Sequence, residues 1–176
     1  YSLKNKFELI GFVDADLATS PEEFWKLVKN LENYDGTIAD RYIEGAKTIP
    51  KFSFRRLIVS RTFNFLVRAI FGLNYNDTQC GAKIFKREVI ERILEDITIT
   101  QWSFDVNLLY SCKKKGFKIK SVPTGWYEAK GSKLNINKAS IQMFFSIIQL
   151  RLLHSPLKKS LKIIRPAIDM IYKAVK

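Results

Sequence analysis

Between Phe7 and Val122, short apolar runs alternate with longer amphipathic ones, and no other feature of the sequence constrains the fold as much. Strand-length runs separated by helix-length stretches bury their surface by laying helices against a sheet. This predicts an α/β domain with a mostly parallel sheet. Phe7–Val13 reads as the first buried strand, broken only by Glu8 and Gly11. Ser20-Pro21-Glu22-Glu23 has the chemistry of a helix start: a capping hydroxyl, a proline at the first helical position, and a glutamate three residues after the serine. That helix runs to about Asn33, with Phe24, Leu27, Val28 and Leu31 on its apolar face. Asp35–Asp40 reads as a short strand, and residues 43–52, with Gly45 and Pro50, as a loop. A long helix follows over Phe54–Phe71, closed by Gly72, with Leu57, Ile58, Phe65 and Leu66 directed at the core and Arg61, Asn64 and Arg68 on one stripe. Residues 73–85 read as a loop that ends as a strand. Helices are expected over Arg87–Leu94 and Phe104–Lys115, and an alternating strand over Phe117–Val122 stops at Pro123. Residues 124–137 form a polar loop. Two more helices, 138–153 and 158–175, are split by His154-Ser155-Pro156. The domain proper then occupies residues 1–135, and residues 136–176 make a helical tail.

A chain of 176 residues, 47% hydrophobic, is enough for one cored domain. Thirty Lys and Arg against 17 Asp and Glu leave a net charge of +13. Such a surface attracts nucleotides, nucleic acid or an acidic membrane face, unless it serves solubility alone. No helix-turn-helix, zinc-finger or RNA-binding signature accompanies the charge, so specific nucleic-acid recognition is not expected. Cys80 and Cys112 match no zinc or redox spacing and read as reduced thiols. No stretch reaches 18 uninterrupted apolar residues.

The acids carry most of the chemistry. In a doubly wound sheet, ligands bind beyond the carboxyl ends of the strands. Asp14 and Asp16 sit at such an end, and two carboxylates there suit a hard divalent ion, Mg²⁺ or Mn²⁺, that bridges to phosphate oxygens. The competing reading is a polar strand exit or cap. Asp77, in D-T-Q-C-G over residues 77–81, reads either as a general base or as an Asx-turn. Asp105 reads as a helix-start acid. Arg41, Arg56, Arg61 and Arg68 can pair with phosphates through forked donors, or, for the last two, line a solvated helix face. His154, before Ser-Pro at a helix end, needs no catalytic explanation.

Several segments in order resemble one family: V-D-A-D-L-A-T (13–19), D-R-Y (40–42), S-R (60–61), D-T-Q-C-G-A-K-I-F (77–85), W-S-F-D-V-N-L-L-Y (102–110), V-P-T-G-W (122–126) and G-S-K-L (131–134). They look like the inverting family-two glycosyltransferases that charge a polyprenyl phosphate with a sugar, dolichyl-phosphate β-glucosyltransferases and mannosyltransferases among them. The resemblance implies a Rossmann-like nucleotide-diphospho-sugar transferase fold of the GT-A type. It makes Asp14 and Asp16 the metal ligands and Asp77 the base or positioning group. It puts Arg41, Arg56, Ser60, Arg61 and Gln79 on phosphate or substrate, Trp102 and Asp105 in the pocket lining, and Ser132 and Lys133 in a loop closing over the acceptor. Ala39-Asp40 stands where the family usually has Gly-Ser, Asn107 where it often has Glu, and Ala82 where it usually has Phe.

What the resemblance implies about function is transfer of a hexose, glucose from UDP-glucose, to dolichyl or polyprenyl phosphate with inversion, peripherally on the cytoplasmic face of a membrane. Family members carry a nucleotide-binding half ahead of the D-x-D strand, and the expectation is that this half is missing here. A homo-oligomer or a partner chain is then expected to supply it. The alternative is a non-catalytic membrane-associated or soluble fragment that needs a partner. Helix 138–153, with Ile141, Phe144, Phe145, Ile148 and Leu152 on one side and a basic neighbour, fits an anionic bilayer surface; core or oligomer packing is the competing reading.

Overall fold

The computed structural model describes residues 6–97, 103–128 and 136–155. Its elements run β1 (Leu9–Phe12), α1 (Pro21–Lys29), β2 (Gly36–Asp40), β3 (Lys47–Ile49), α2 (Phe54–Phe71), β4 (Lys83–Lys86), α3 (Arg87–Ile93) with a 3₁₀ turn over Leu94–Asp96, α4 (Phe104–Lys114), β5 (Ile119–Pro123), β6 (Gly125–Tyr127) and α5 (Ile136–Leu153). The main sheet has the order β1-β4-β2-β5. It is mixed, which corrects the expectation of a mostly parallel sheet. β4 runs antiparallel to both β1 and β2, and only β2 and β5 are parallel. The reason is the connection into β4. It arrives through a loop from α2, from the end of the sheet where β1 and β2 finish, so β4 enters the sheet reversed. β3 and β6 form a second, parallel pair inside stretches expected to be loops. Three residues each were too few to carry a visible alternation.

Period-two alternation splits the sheet between two cores. Ile38 and Phe85 face a large cluster with Phe63, Val67 and Phe71 of α2, Val89 and Ile93 of α3, Val106 and Leu109 of α4, and Ile147 and Leu150 of α5. Ala39, Ile84 and Val122 face the other way, onto Leu27 of α1, with Phe24 and Val28 packed beside it. Burying each large aliphatic or aromatic side chain contributes about 1.5–3 kcal/mol before entropy is charged against it. Ser20 caps α1 by accepting from the Glu23 amide, with Pro21 at the start, as its sequence predicts. Gly72 closes α2 in the left-handed conformation, φ 62°.

The phase of α2 differs from expectation. Phe63, Asn64, Val67 and Phe71 are buried, whereas Leu57, Ile58 and Phe65 are exposed. Apolar residues surround this helix, so its periodicity does not select a face. The face is set by the sheet and α5, whose Ile147 and Leu150 share a core with Phe63, Val67 and Phe71 of α2 while Ile141 and Phe144 stay exposed. Trp102, Gly131, Ser132, Lys133 and the expected helix 158–175 lie outside the described residues. No described helix is long and apolar enough to cross a membrane.

Candidate functional site

The ends of β1, β2 and β5 and the start of β4 converge on one edge of the sheet. Phe12 pairs with Lys83, and Asp40 pairs with Pro123. The loop leaving β1 turns at once: the Leu17 amide donates to the Asp14 carbonyl oxygen at 3.2 Å, Leu17 takes φ 55°, and the Ala18 amide donates to Asp16 Oδ1 at 3.0 Å. A non-glycine residue at positive φ is a strained position of the kind that gathers at functional loops. The Asp14 carboxylate lies directly against Gly81, where an added Cβ would overlap both of its oxygens. Burial, and then the neighbouring charges of Asp16 and Asp105, raise the Asp14 pKa.

Asp77 is fully enclosed and holds five donors. Oδ2 accepts from Arg41 Nε at 2.6 Å and from the Arg41 amide at 3.2 Å. Oδ1 accepts from Arg41 Nη2 at 3.1 Å and from the Gln79 and Cys80 amides at 3.2 and 3.1 Å. Burial opposes its charge, but the Arg41 guanidinium and these bonds win and hold the carboxyl below the ordinary carboxylate range. Arg41, itself opposed by burial, is raised by Asp77 in turn. Next to it, Asp40 is buried, its Oδ1 accepting from the Tyr42 amide at 2.9 Å; burial first, and the Asp77 charge with it, raise its pKa. Burial also pushes the Cys80 thiol up to about 11, so no thiolate operates here.

The guanidinium of Arg41 lies 5.6–5.7 Å from the rings of Tyr42, Phe52 and Trp126, and that of Arg56 lies 4.8 and 4.9 Å from Phe52 and Trp126. Arg56 is ion-paired with Glu128. Tyr42 and Ser60 share a hydrogen bond of 2.7 Å. Arg41, Tyr42, Arg56, Ser60 and Gln79 together border a groove of about 500 Å³ whose floor is Ile58, Val59, Phe63 and Leu66 of α2 and Met143 and Phe144 of α5. Arg61 turns away, stacking on Tyr42 and donating to the Asn76 carbonyl at 3.1 Å, and Arg68 donates to Asn74 and Asn76. Of the described site residues, Arg41, Arg56, Ser60, Gln79 and Asp77 therefore gather around one groove. Asp14, Asp16 and Asp105 form a second group beside it. Asp105 does more than start a helix, since its Oδ1 accepts from Lys83 Nζ at 2.6 Å.

Sequence reasoning passed over Lys83, Tyr42, Phe52 and Trp126. The signal for Lys83 was slight: a lysine beside apolar residues in A-K-I-F, in a strand whose two faces the sequence does not tell apart. It is wholly enclosed. Among the described residues no group of three or more His, Cys, Asp and Glu side chains comes together as a metal site. Asp14 and Asp16 nevertheless fit Mg²⁺ or Mn²⁺, which often binds protein through one or two carboxylates and completes its shell with water and substrate phosphate. Burial, with the Asp16 and Asp105 charges behind it, works against the Asp14 carboxylate's charge, and a bound cation offsets that.

No family model matches the sequence. Individual proteins do. A dolichyl-phosphate beta-glucosyltransferase from Dictyostelium discoideum is 34% identical over 145 residues, covering 79% of this chain and 44% of that protein. The human dolichyl-phosphate beta-glucosyltransferase is 31% identical over 152 residues, covering 82% and 47%. A polyprenol monophosphomannose synthase from Mycolicibacterium smegmatis is 28% identical over 142 residues, covering 80% and 52%. The chain thus resembles dolichyl-phosphate glycosyltransferases over about four-fifths of its length and spans about half the length of the relatives it matches.

Proposed function

We propose, starting from this resemblance to dolichyl-phosphate glycosyltransferases, that the chain forms the acceptor and metal side of an enzyme that moves a hexose from a nucleotide sugar to a dolichyl or other polyprenyl phosphate. The strongest support is the groove: an apolar lining bordered by two guanidiniums and a hydroxyl suits a hydrocarbon chain ending in a phosphate. Arg41 and Arg56 take the phosphate oxygens, and Ser60, oriented by Tyr42, donates a further hydrogen bond. The rings of Phe52 and Trp126 lie within cation–π distance of both guanidiniums and favour their charge there. Asp77 serves as a positioning group. Its lone pairs are taken up by Arg41 and two backbone amides, and a lipid phosphate is already anionic, so no proton has to be removed.

The acceptor oxygen attacks the anomeric carbon in line, the bond from that carbon to the diphosphate breaks, and the configuration inverts. Asp14 and Asp16 would hold Mg²⁺ or Mn²⁺, which offsets charge on the departing diphosphate. Glucose and UDP are the proposed sugar and nucleotide, by similarity to the beta-glucosyltransferases. Trp102, Ser132 and Lys133 keep the substrate-facing roles their motifs suggest. The chain spans about half the length of its relatives, and the activity proposed is that of a whole protein of their length.

The test is UDP release from UDP-glucose by full-length protein, with and without dolichyl phosphate. Lipid-dependent release that is lost in Arg56→Met and in Asp14→Ala is the expected result; turnover unchanged by both refutes the assignment. A peripheral, non-catalytic membrane subunit is the second reading, favoured by exposed Phe54, Ile58, Phe65 and Phe144 bordering the groove side of α2 and α5. Co-sedimentation with anionic liposomes by a full-length protein that releases no UDP would select it.

A further inference from the structure

Lys83 is among the largest fully buried side chains of the described residues, and it is charged. Its ammonium donates to Asp105 Oδ1 and to the Cys80 carbonyl oxygen, both at 2.6 Å, and sits 5.5 Å from the Phe12 ring. Cys80 is the residue before Gly81, whose missing Cβ makes room for the Asp14 carboxylate. The ammonium is therefore anchored one residue from the seat of Asp14, and it holds the Asp105 carboxylate at that place.

A charge count around the sheet edge explains the arrangement. Arg41 closes on Asp77, and Lys83 closes on Asp105. Asp14, Asp16 and the buried Asp40 remain as acids with no ion-pair partner within 4 Å among the described residues; Asp40 sits at the end of β2 against the Tyr42 amide, and Asp14 and Asp16 share the loop after β1. The two negative charges of that loop balance one divalent cation. Without Lys83, Asp105 becomes a third acid beside Asp14.

We propose that Lys83 is a positioning residue that takes Asp105 out of the cation site, fixing that site at two carboxylates and keeping its hold on Mg²⁺ or Mn²⁺ weak enough for exchange. This rests on the reading of Asp14 and Asp16 as the metal-holding pair. A buried ion pair adds little net stability on average, and replacing both partners together is often neutral. The Lys83–Asp105 pair, enclosed on the lysine side and 24% exposed at the aspartate, is accounted for by its charge.

The experiment is a Mg²⁺ titration of the full-length protein without nucleotide, read from the amide resonances of Asp16 and Gly81. Lys83→Met should tighten binding by about tenfold, the scale expected of one unit charge acting on a divalent ion across a partly hydrated site. Asp105→Asn, which leaves Lys83 unmatched, should weaken it by about the same factor. The double variant Lys83→Met/Asp105→Asn should return to within about threefold of the parent, because unit charges of opposite sign cancel. Loss of binding in both single variants marks a merely structural pair and overturns the proposal, as does a double variant no closer to the parent than the singles. If Lys83→Met does not fold, as thermal unfolding will show, weakening by Asp105→Asn and recovery in the double variant carry the same decision. A parent whose resonances do not respond, or respond equally after Asp14→Asn/Asp16→Asn, overturns the metal reading itself, and the proposal with it.

Discussion

Asp77→Asn is the substitution whose effect the geometry specifies most fully. The carboxylate accepts five hydrogen bonds, three from Arg41 and two from the Gln79 and Cys80 amides. An amide keeps one oxygen. Its NH₂ group must then face either the Arg41 amide and Nε or Arg41 Nη2 together with the Gln79 and Cys80 amides, donor against donor, and Arg41 loses its counter-charge in a site where only 12% of its side chain is exposed. Breaking one partner of a buried ion pair costs about 3–5 kcal/mol. For a chain of this size that lowers Tm by on the order of 10 °C. The loss also has a pH signature. The folded-state pKa of Asp77 is depressed, so its contribution is fully present above the unfolded value, about 3.9, and is lost as pH falls further towards the folded value. Urea unfolding at a series of pH values should show parent and variant separated by a constant gap above about pH 5 that closes as the pH drops below 4. A gap smaller than about 1 kcal/mol at pH 7, or one that does not narrow in acid, refutes the reasoning.

Two further substitutions separate stability from site chemistry. Gly81→Ala places a methyl on the Asp14 carboxylate, which can swing outward at little cost; stability should change by less than about 1 kcal/mol while the Mg²⁺ response at Asp16 weakens at least about tenfold, and an unchanged response refutes the seat. Glu128→Gln removes the carboxylate that pairs with Arg56, both side chains being 33% exposed, so binding of a short alkyl phosphate should tighten by up to about fivefold, the worth of a half-screened pair; calorimetric titration showing weaker binding counts against Arg56 as a phosphate group.

Where an element announces itself by local chemistry, the sequence is legible. The Ser20-Pro21 cap and the left-handed Gly72 end are written in residues that have few other uses at those places, and α1 and the far end of α2 follow them. Strand direction has no such signature. Nothing in K-I-F-K distinguishes a parallel neighbour from an antiparallel one, because apolar alternation is the same in both; β4 is reversed by the route of the chain before it. The face of α2 was hidden for a related reason. With apolar residues all around the helix, partners elsewhere in the chain choose between Leu57 and Val67, and the 3.6-residue period cannot.

The site divides along the same line. Asp14, Asp16, Asp77 and Arg41 stand out by type and spacing, but their relations do not. Asp77 looked equally suited to abstracting a proton or closing a turn, and only the three Arg41 donors converging on it show that its lone pairs are already committed. Asp105 looked like a helix-start acid until Lys83 was found against it, across 22 residues of sequence. Charge pairing at such separations is a property of the sheet edge: β1 and β4 must meet in their observed register before Phe12 shields Lys83 and Lys83 can reach α4. The reversed strand that the sequence did not disclose is therefore also what brings the unpredicted cation into the site. A parallel β4 would carry Lys83 to the opposite end of the sheet and leave Asp14, Asp16 and Asp105 as three uncompensated acids.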